Sequence, residues 1–228
     1  MNIYASPNNV WIKKRTQAKY DIVYDQQTLI VNSWFLRSIY NQMLAEVFHK
    51  LDCHSILEVG SGRGSNILAL AALDSEWQLT GLELSKNGYL NSLDLVKNPP
   101  PEIIGVTHKN INPERIKFIQ GNALKIPFPD NSFDVVFTVL ALEQMAYDYK
   151  EVLIEVKRVA KRYCVFIEPF SEANNLNGNL HLKKVDYFRY SYKNFEKLGF
   201  KILKFFTNYP QKVKSQSGLL VVQVVKNN

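Results

Sequence analysis

The chain has 228 residues, enough for one α/β domain, with 46% hydrophobic and 21% charged residues, an ordinary globular composition. No run approaches the roughly 20 apolar residues of a membrane helix, MNIYASPNNVWIKKR lacks the apolar centre of a secretion signal, and Cys53 and Cys164 stand in neither metal-like nor paired spacing. A cytoplasmic protein with buried free thiols is expected, and the formal net charge of +7 admits an anionic partner such as nucleic acid, a phosphorylated metabolite or an acidic membrane surface.

Residues 33–50 set Trp34, Phe35, Ile39, Met43, Leu44 and Val47 at helical spacing behind Ser33 as N-cap, so residues 1–50 read as a helical cap. From Ser55 strand and helix alternate. Strands are predicted at 55–59, 77–84, 115–120, 133–140 and 163–169, with helices at 65–75, 86–97 and about 149–160. That rhythm predicts a doubly wound, mostly parallel α/β sheet covered on both faces, with a cofactor-binding core over 51–169. Residues 170–190 carry Asn174, Asn175, Asn177 and Asn179 and read as an irregular polar lid. A helix near 191–198 and two strands, KILKFFT and GLLVVQVV, then predict an antiparallel hairpin at one sheet edge. The whole chain, 1–228, reads as a single domain.

The chemistry concentrates in ILEVGSGRGSN, residues 56–66, where Gly60, Ser61, Gly62 and Gly64 join the first strand of the alternation to its helix. Glycines there let the backbone turn sharply and approach a ligand. The dinucleotide pattern would place its third glycine where Ser65 stands; here it comes early, at Gly64. Glu58 ends the strand, and its carboxylate repels a pyrophosphate on the helix N-terminus but holds an ammonium group. Glu83, ending the second strand, suits the paired hydroxyls of a ribose. Asn122 follows the third strand; its amide matches the edge of adenine, with the Ala123 N–H beside it and Leu84 on the ring face.

Together with IPFPDNSFDVVFT these motifs resemble the class I S-adenosylmethionine-dependent methyltransferases, and within them the small-molecule group that includes quinone-biosynthesis enzymes. The resemblance covers about residues 50–170. It implies a seven-stranded sheet with an antiparallel last strand, and S-adenosyl-L-methionine (product S-adenosyl-L-homocysteine) held by Glu58, Gly60, Ser61, Gly62, Gly64, Glu83, Leu84, Asn122 and Ala123. Leu140 matches a position beside the cofactor's sulfur. The family usually has Asp where this chain has Asn122.

Methyl transfer is an in-line displacement, so the protein mainly positions the acceptor and excludes water. A base is needed only for an acceptor that loses a proton. Glu143, after the fourth strand, and His181, in the lid, are the candidates; Glu168, Tyr20, Tyr24 and Trp34 are candidate acceptor contacts. No two histidines form a metal-ligand spacing, so no metal is expected. A small-molecule acceptor is expected, with the charge leaning toward phosphate or carboxylate, for example a phosphorylated or nucleotide-linked intermediate of surface-polysaccharide synthesis. An RNA methyltransferase is the alternative, but Asn98-Pro99-Pro100 stands after the second helix instead of the fourth strand, and neither cysteine follows a proline. A nicotinamide-dependent oxidoreductase and a non-catalytic adenosine-binding protein are further alternatives.

Overall fold

The computed structural model describes residues 19–24, 27–100, 111–212 and 215–226. Residues 1–18, which include the MNIYASPNNVWIKKR segment read above, lie outside them. The apolar runs after Ser55 form β3 (Ser55–Val59), β4 (Gln78–Glu83), β5 (Ile116–Gln120), β6 (Phe133–Val139) and β7 (Ala160–Glu168), all parallel. Both faces of these strands are covered, which is why alternate residues are equally apolar. Along β6, Val135 and Phe137 pack into one core while Val136 packs into the other. On the first face lie α1 (Ser33–Leu51), α2 (Ser65–Leu73) and α3 (Lys86–Lys97). On the second lies α4 (Tyr149–Val159), which buries Tyr149, Val152, Leu153, Val156 and Val159 at helical spacing. Each such side chain contributes roughly 1.5–3 kcal/mol on burial.

The chain then adds α5 (Leu176–Lys184), a 3₁₀ helix at Tyr192–Leu198, β8 (Phe200–Phe206), β9 (Gln211–Lys212) and β10 (Gly218–Val224). The sheet order is β5-β4-β3-β6-β7-β10-β8. β10 runs antiparallel to both β7 and β8, so the C-terminal hairpin inserts its last strand inside the edge formed by β8. Chain direction across the sheet reverses between β3 and β6, and a doubly wound sheet opens its ligand crevice at that point, beyond the strands' C-terminal ends.

Two segments depart from the sequence reading. The N-terminal cap is only partly helical: β1 (Lys19–Tyr24) and β2 (Gln27–Asn32) pair antiparallel ahead of α1, and β9 joins β1 to give a second sheet ordered β2-β1-β9. The N-cap of α1 is Asn32, whose Oδ1 accepts from the Phe35 N–H at 2.8 Å, and Ser33 is the first helical residue. Residues 170–190 are neither irregular nor purely polar. Asn175 caps α5, Asn174 and Asn179 donate to neighbouring carbonyls, and Phe170, Leu182 and Phe188 are fully buried. Cys53 and Cys164 are buried free thiols, as expected. Among the described residues no helix is long and apolar enough to cross a membrane.

Candidate active site

The turn after β3 is built from three residues in the left-handed region: Gly60 (φ 76°), Gly62 (φ 56°) and Gly64 (φ 77°). At two of them a side chain has no room. A Cβ on Gly60 would stand 2.6 Å from the Ala141 Cβ, and one on Gly64 would stand 2.4 Å from the Phe118 ring. At Gly62 nothing lies within 4 Å of the Cβ position, so the glycine leaves a cradle open. The loop is tied to β4: Gly60 and Ser61 donate their N–H groups to the Leu82 carbonyl at 2.9 and 3.0 Å.

Two acids flank this loop. Glu58 is buried, and its Oε1 accepts from Asn66 Nδ2 on α2 at 2.7 Å. Asn66 Oδ1 in turn accepts from the Arg37 guanidinium of α1 at 3.4 Å. Glu58 Oε2 and Ser61 Oγ are buried without a hydrogen-bond partner. Burial pushes the Glu58 carboxyl up to about 7 against the lowering effect of Asn66 and Arg37. Glu83 is held differently. Its Oε2 accepts from the Gly62 N–H at 2.9 Å, and its Oε1 accepts from the Ser85 N–H at 2.9 Å and the Ser85 hydroxyl at 2.6 Å. It is 9% exposed, and it tethers the cradle to the end of β4.

Across the crevice the chain leaves β6 through Leu140, a non-glycine residue at φ 51°. Glu168, at the end of β7, holds that turn. Its Oε1 accepts from the Thr138 hydroxyl at 2.7 Å and from the N–H groups of Ala141 and Leu142 at 3.0 and 3.1 Å. Glu168 is fully buried, and burial, reinforced by the Glu143 charge, pushes its carboxyl up to about 8. Glu168 therefore holds the turn through its Oε1, while its Oε2 is buried without a hydrogen-bond partner.

A cavity of about 240 Å³ opens between these parts. Among the expected residues, Glu58, Gly60, Ser61, Gly62, Leu140, Glu143, Tyr20 and Trp34 line it. Gly64 is buried behind the loop, and Glu83 reaches the lining through Gly62. Leu84 is 65% exposed beyond β4, and Ala123 is buried after β5. Asn122 Oδ1 accepts from the Leu124 N–H at 2.9 Å, the contact of an Asx turn. Tyr24 is exposed at the end of β1, and His181 is exposed on α5; neither is among the residues that line this cavity. The sequence reading missed Arg37, Tyr40, Asn66 and Lys212, which do line it. Arg37 and Tyr40 follow Trp34 on α1 at helical spacing, a signal available only once the face of α1 toward the crevice is known. Among the described residues no cluster of His, Cys, Asp and Glu is suited to a metal ion.

Residues 57–167 match a family model described as a methyltransferase domain. A demethylmenaquinone methyltransferase of Listeria welshimeri is 31% identical over 103 residues, covering 43% of this chain and 42% of its own length. One of Bacillus licheniformis is 35% identical over 106 residues, covering 46% and 39%. The match thus spans less than half of the length of these curated relatives. Among solved structures, an S-adenosylmethionine-dependent methyltransferase of Methanosarcina mazei is 18% identical, with a TM-score of 0.62 over 76% of this chain and 93% of that one. The cyclase SpnF is 15% identical, with a TM-score of 0.69 over 95% and 91%, so the fold by itself does not fix the reaction. The residues present fit the cofactor that the family implies: unpartnered Glu58 Oε2 and Ser61 Oγ beside the open cradle of Gly62 offer acceptors for an amino-acid tail. Residues 57–167 thus match a methyltransferase domain, set in a doubly wound sheet like that of the S-adenosylmethionine-dependent methyltransferase structure.

Proposed function

We propose that the protein transfers the methyl group of S-adenosylmethionine to a small acceptor held between the glycine loop and the second sheet, β2-β1-β9. One observation carries this reading: buried oxygens of Glu58 and Ser61 lack partners where Gly62 leaves open space, at the crevice of the sheet. When bound, the cofactor supplies a methyl group on a positively charged sulfur, so the chain's residues have only to bind, orient and exclude water. Glu58 would meet the ammonium of the methionine tail and recover its full charge there. Glu83 keeps an acceptor position on Oε2 for a ribose hydroxyl, the other three being taken by Gly62 and Ser85, with Leu84, Asn122 and Ala123 toward the adenine.

For an acceptor that loses a proton, Glu143 is the base in this reading, because it lines the cavity on the turn that Glu168 holds. A carboxylate beside the glycine loop disfavours a dinucleotide pyrophosphate, which supports methyl transfer over hydride transfer. The test is calorimetry with S-adenosylhomocysteine and NAD, followed by a screen of small-molecule acceptors with methyl-labelled cofactor. Binding of NAD in preference to S-adenosylhomocysteine would overturn the reading.

A further inference from the structure

We infer that Asn66 is a positioning residue of the site: its side-chain amide, oriented by Arg37 of α1, holds the Glu58 carboxylate in place for the ammonium of an amino-acid tail. This role rests on the methyl-transfer reading above, which supplies the ammonium-bearing ligand. Asn66 stands second in α2, SNILALAAL, where every residue after it is apolar. It is 6% exposed, and Ile67 and Leu68 beside it are fully buried, which fixes the backbone that carries it. Alanine is the better helix former, so helix formation alone does not call for asparagine here.

Glu58 lies in β3 between strands that offer it no polar side chain. Its register partners are Gly81 in β4 and Phe137 in β6. The hydrogen bond that reaches it comes instead from α2, where Asn66 Nδ2 donates to Glu58 Oε1 at 2.7 Å. The other end of the amide sets its direction. Asn66 Oδ1 accepts from the Arg37 guanidinium at 3.4 Å, and an oxygen committed to a cation turns the nitrogen toward the acid. Glu58 Oε1 is thereby engaged. Oε2, buried without a partner, is left for a donor entering the cavity that Glu58, Asn66 and Gly62 line.

The same bond governs how readily Glu58 carries charge. Burial pushes its carboxyl up to about 7; Asn66 is the largest influence opposing that, Arg37 the next, and Glu83 raises it further. Without the Asn66 donor the charged form loses a hydrogen bond and the carboxyl takes up a proton more readily. The remaining titratable side chains around the cavity are Tyr20, Tyr40, Arg63, Glu143 and Lys212, and substitution at Asn66 leaves all of them in place.

The experiment follows the Glu58 carboxyl by carbon NMR in the free, full chain, and S-adenosylhomocysteine affinity by calorimetry, from about pH 5.5 to about pH 8.5. Wild type is compared with Asn66→Ala and with Asn66→Asp, which keeps the shape and the acceptor for Arg37 but turns a second carboxyl on Glu58. The wild-type titration is expected near 7, raised by about half a pH unit or more in Asn66→Ala and further in Asn66→Asp, where two carboxyls share a proton. Wild-type affinity should fall as pH drops below about 7, because the proton on Glu58 must leave before the ammonium is held. Near neutrality it should be about fivefold weaker in Asn66→Ala and about tenfold or more weaker in Asn66→Asp, with part of each loss recovered as pH rises. A structural role alone would lower the melting temperature and leave both pH profiles as in wild type. An unmoved Glu58 titration in a folded variant, or wild-type affinity in Asn66→Asp near neutrality, overturns the inference; Asn66→Asp carries the test if Asn66→Ala does not fold. A titration that moves as expected in a protein that binds no S-adenosylhomocysteine overturns the methyl-transfer reading alone and upholds the hold of Asn66 on Glu58.

Discussion

Glu83→Ala separates a residue that only touches a ligand from one that also shapes its cradle. The carboxylate accepts three hydrogen bonds, from the Gly62 N–H at 2.9 Å and from the N–H and hydroxyl of Ser85 at 2.9 and 2.6 Å. Ser85 is in turn the N-cap of α3, its hydroxyl accepting from the Gly88 N–H at 3.0 Å. Bonds to a charged group are worth roughly 1.5–3 kcal/mol each. The freed N–H groups lie at the crevice, where water replaces much of that, so the net stability loss should be about 2 kcal/mol. For a chain of this size that lowers the Tm by about 4–8 °C. Loss of the ribose contacts and of a fixed Gly62 should weaken S-adenosylhomocysteine by a further 1–3 kcal/mol, roughly five- to 150-fold. Glu83→Gln keeps an acceptor for one set of donors and should fall between wild type and Ala in both measurements. Thermal melts by circular dichroism and calorimetric titration read the two effects. If Glu83→Ala melts within 1 °C (about the error of such melts) of wild type and binds equally well, the tether drawn between β4 and the glycine loop is wrong.

Gly62→Ala should cost the protein alone only about 1–2 kcal/mol, the penalty of a left-handed residue, because its Cβ meets nothing; the same Cβ should abolish S-adenosylhomocysteine binding, and a titration with wild-type affinity would show the cradle misplaced. Gly64→Ala combines the same backbone penalty with a Cβ at 2.4 Å from Phe118, so it should destabilise by about 3 kcal/mol or more in urea melts, with partial recovery in Phe118→Leu. Glu168 has a folded-state carboxyl raised to about 8 from the usual value near 4.5. The folded protein therefore holds a proton that the unfolded chain gives up, its contribution is fully present below about 4.5, and stability falls as pH rises toward 8. Glu168→Gln removes that slope, so urea melts at pH 5 and pH 8 should differ less than in wild type; equal slopes would contradict the assignment (the pH values bracket the shift). Glu143→Gln should lower turnover with any acceptor that loses a proton, by the roughly 10²–10⁴-fold typical of a lost base, while His181→Ala should not.

The parallel core was legible because strands buried on both faces read as short apolar runs, and the helices between them as 3.6-residue patterns. The glycine loop was legible because three glycines and an acid at a strand end meet a narrow backbone requirement. The hairpin of β1 and β2 was hidden by its connection: Tyr24 is followed by Asp25 and Gln26, without the glycine or asparagine that marks a tight turn. The asparagines at 174, 175 and 179 read as loop residues, yet their amides serve as a helix cap and as ties to backbone carbonyls, which composition cannot distinguish. Lys212 could not be placed from sequence, since its position depends on the pairing of β9 with a strand at the other end of the chain. Glu168 sits where a strand end suggests a ligand contact, and only its three donors reveal that it also holds the turn through Leu140.

The central claim is that the glycine loop and Glu58 hold the methionine tail of S-adenosylmethionine. Isothermal titration of wild type and Glu58→Ala with S-adenosylhomocysteine, and of wild type with NAD, tests it most directly. The claim predicts one S-adenosylhomocysteine bound per chain, an affinity at least about tenfold weaker in Glu58→Ala, and no heat from NAD. Equal affinity in the variant, or NAD binding in place of S-adenosylhomocysteine, would contradict it.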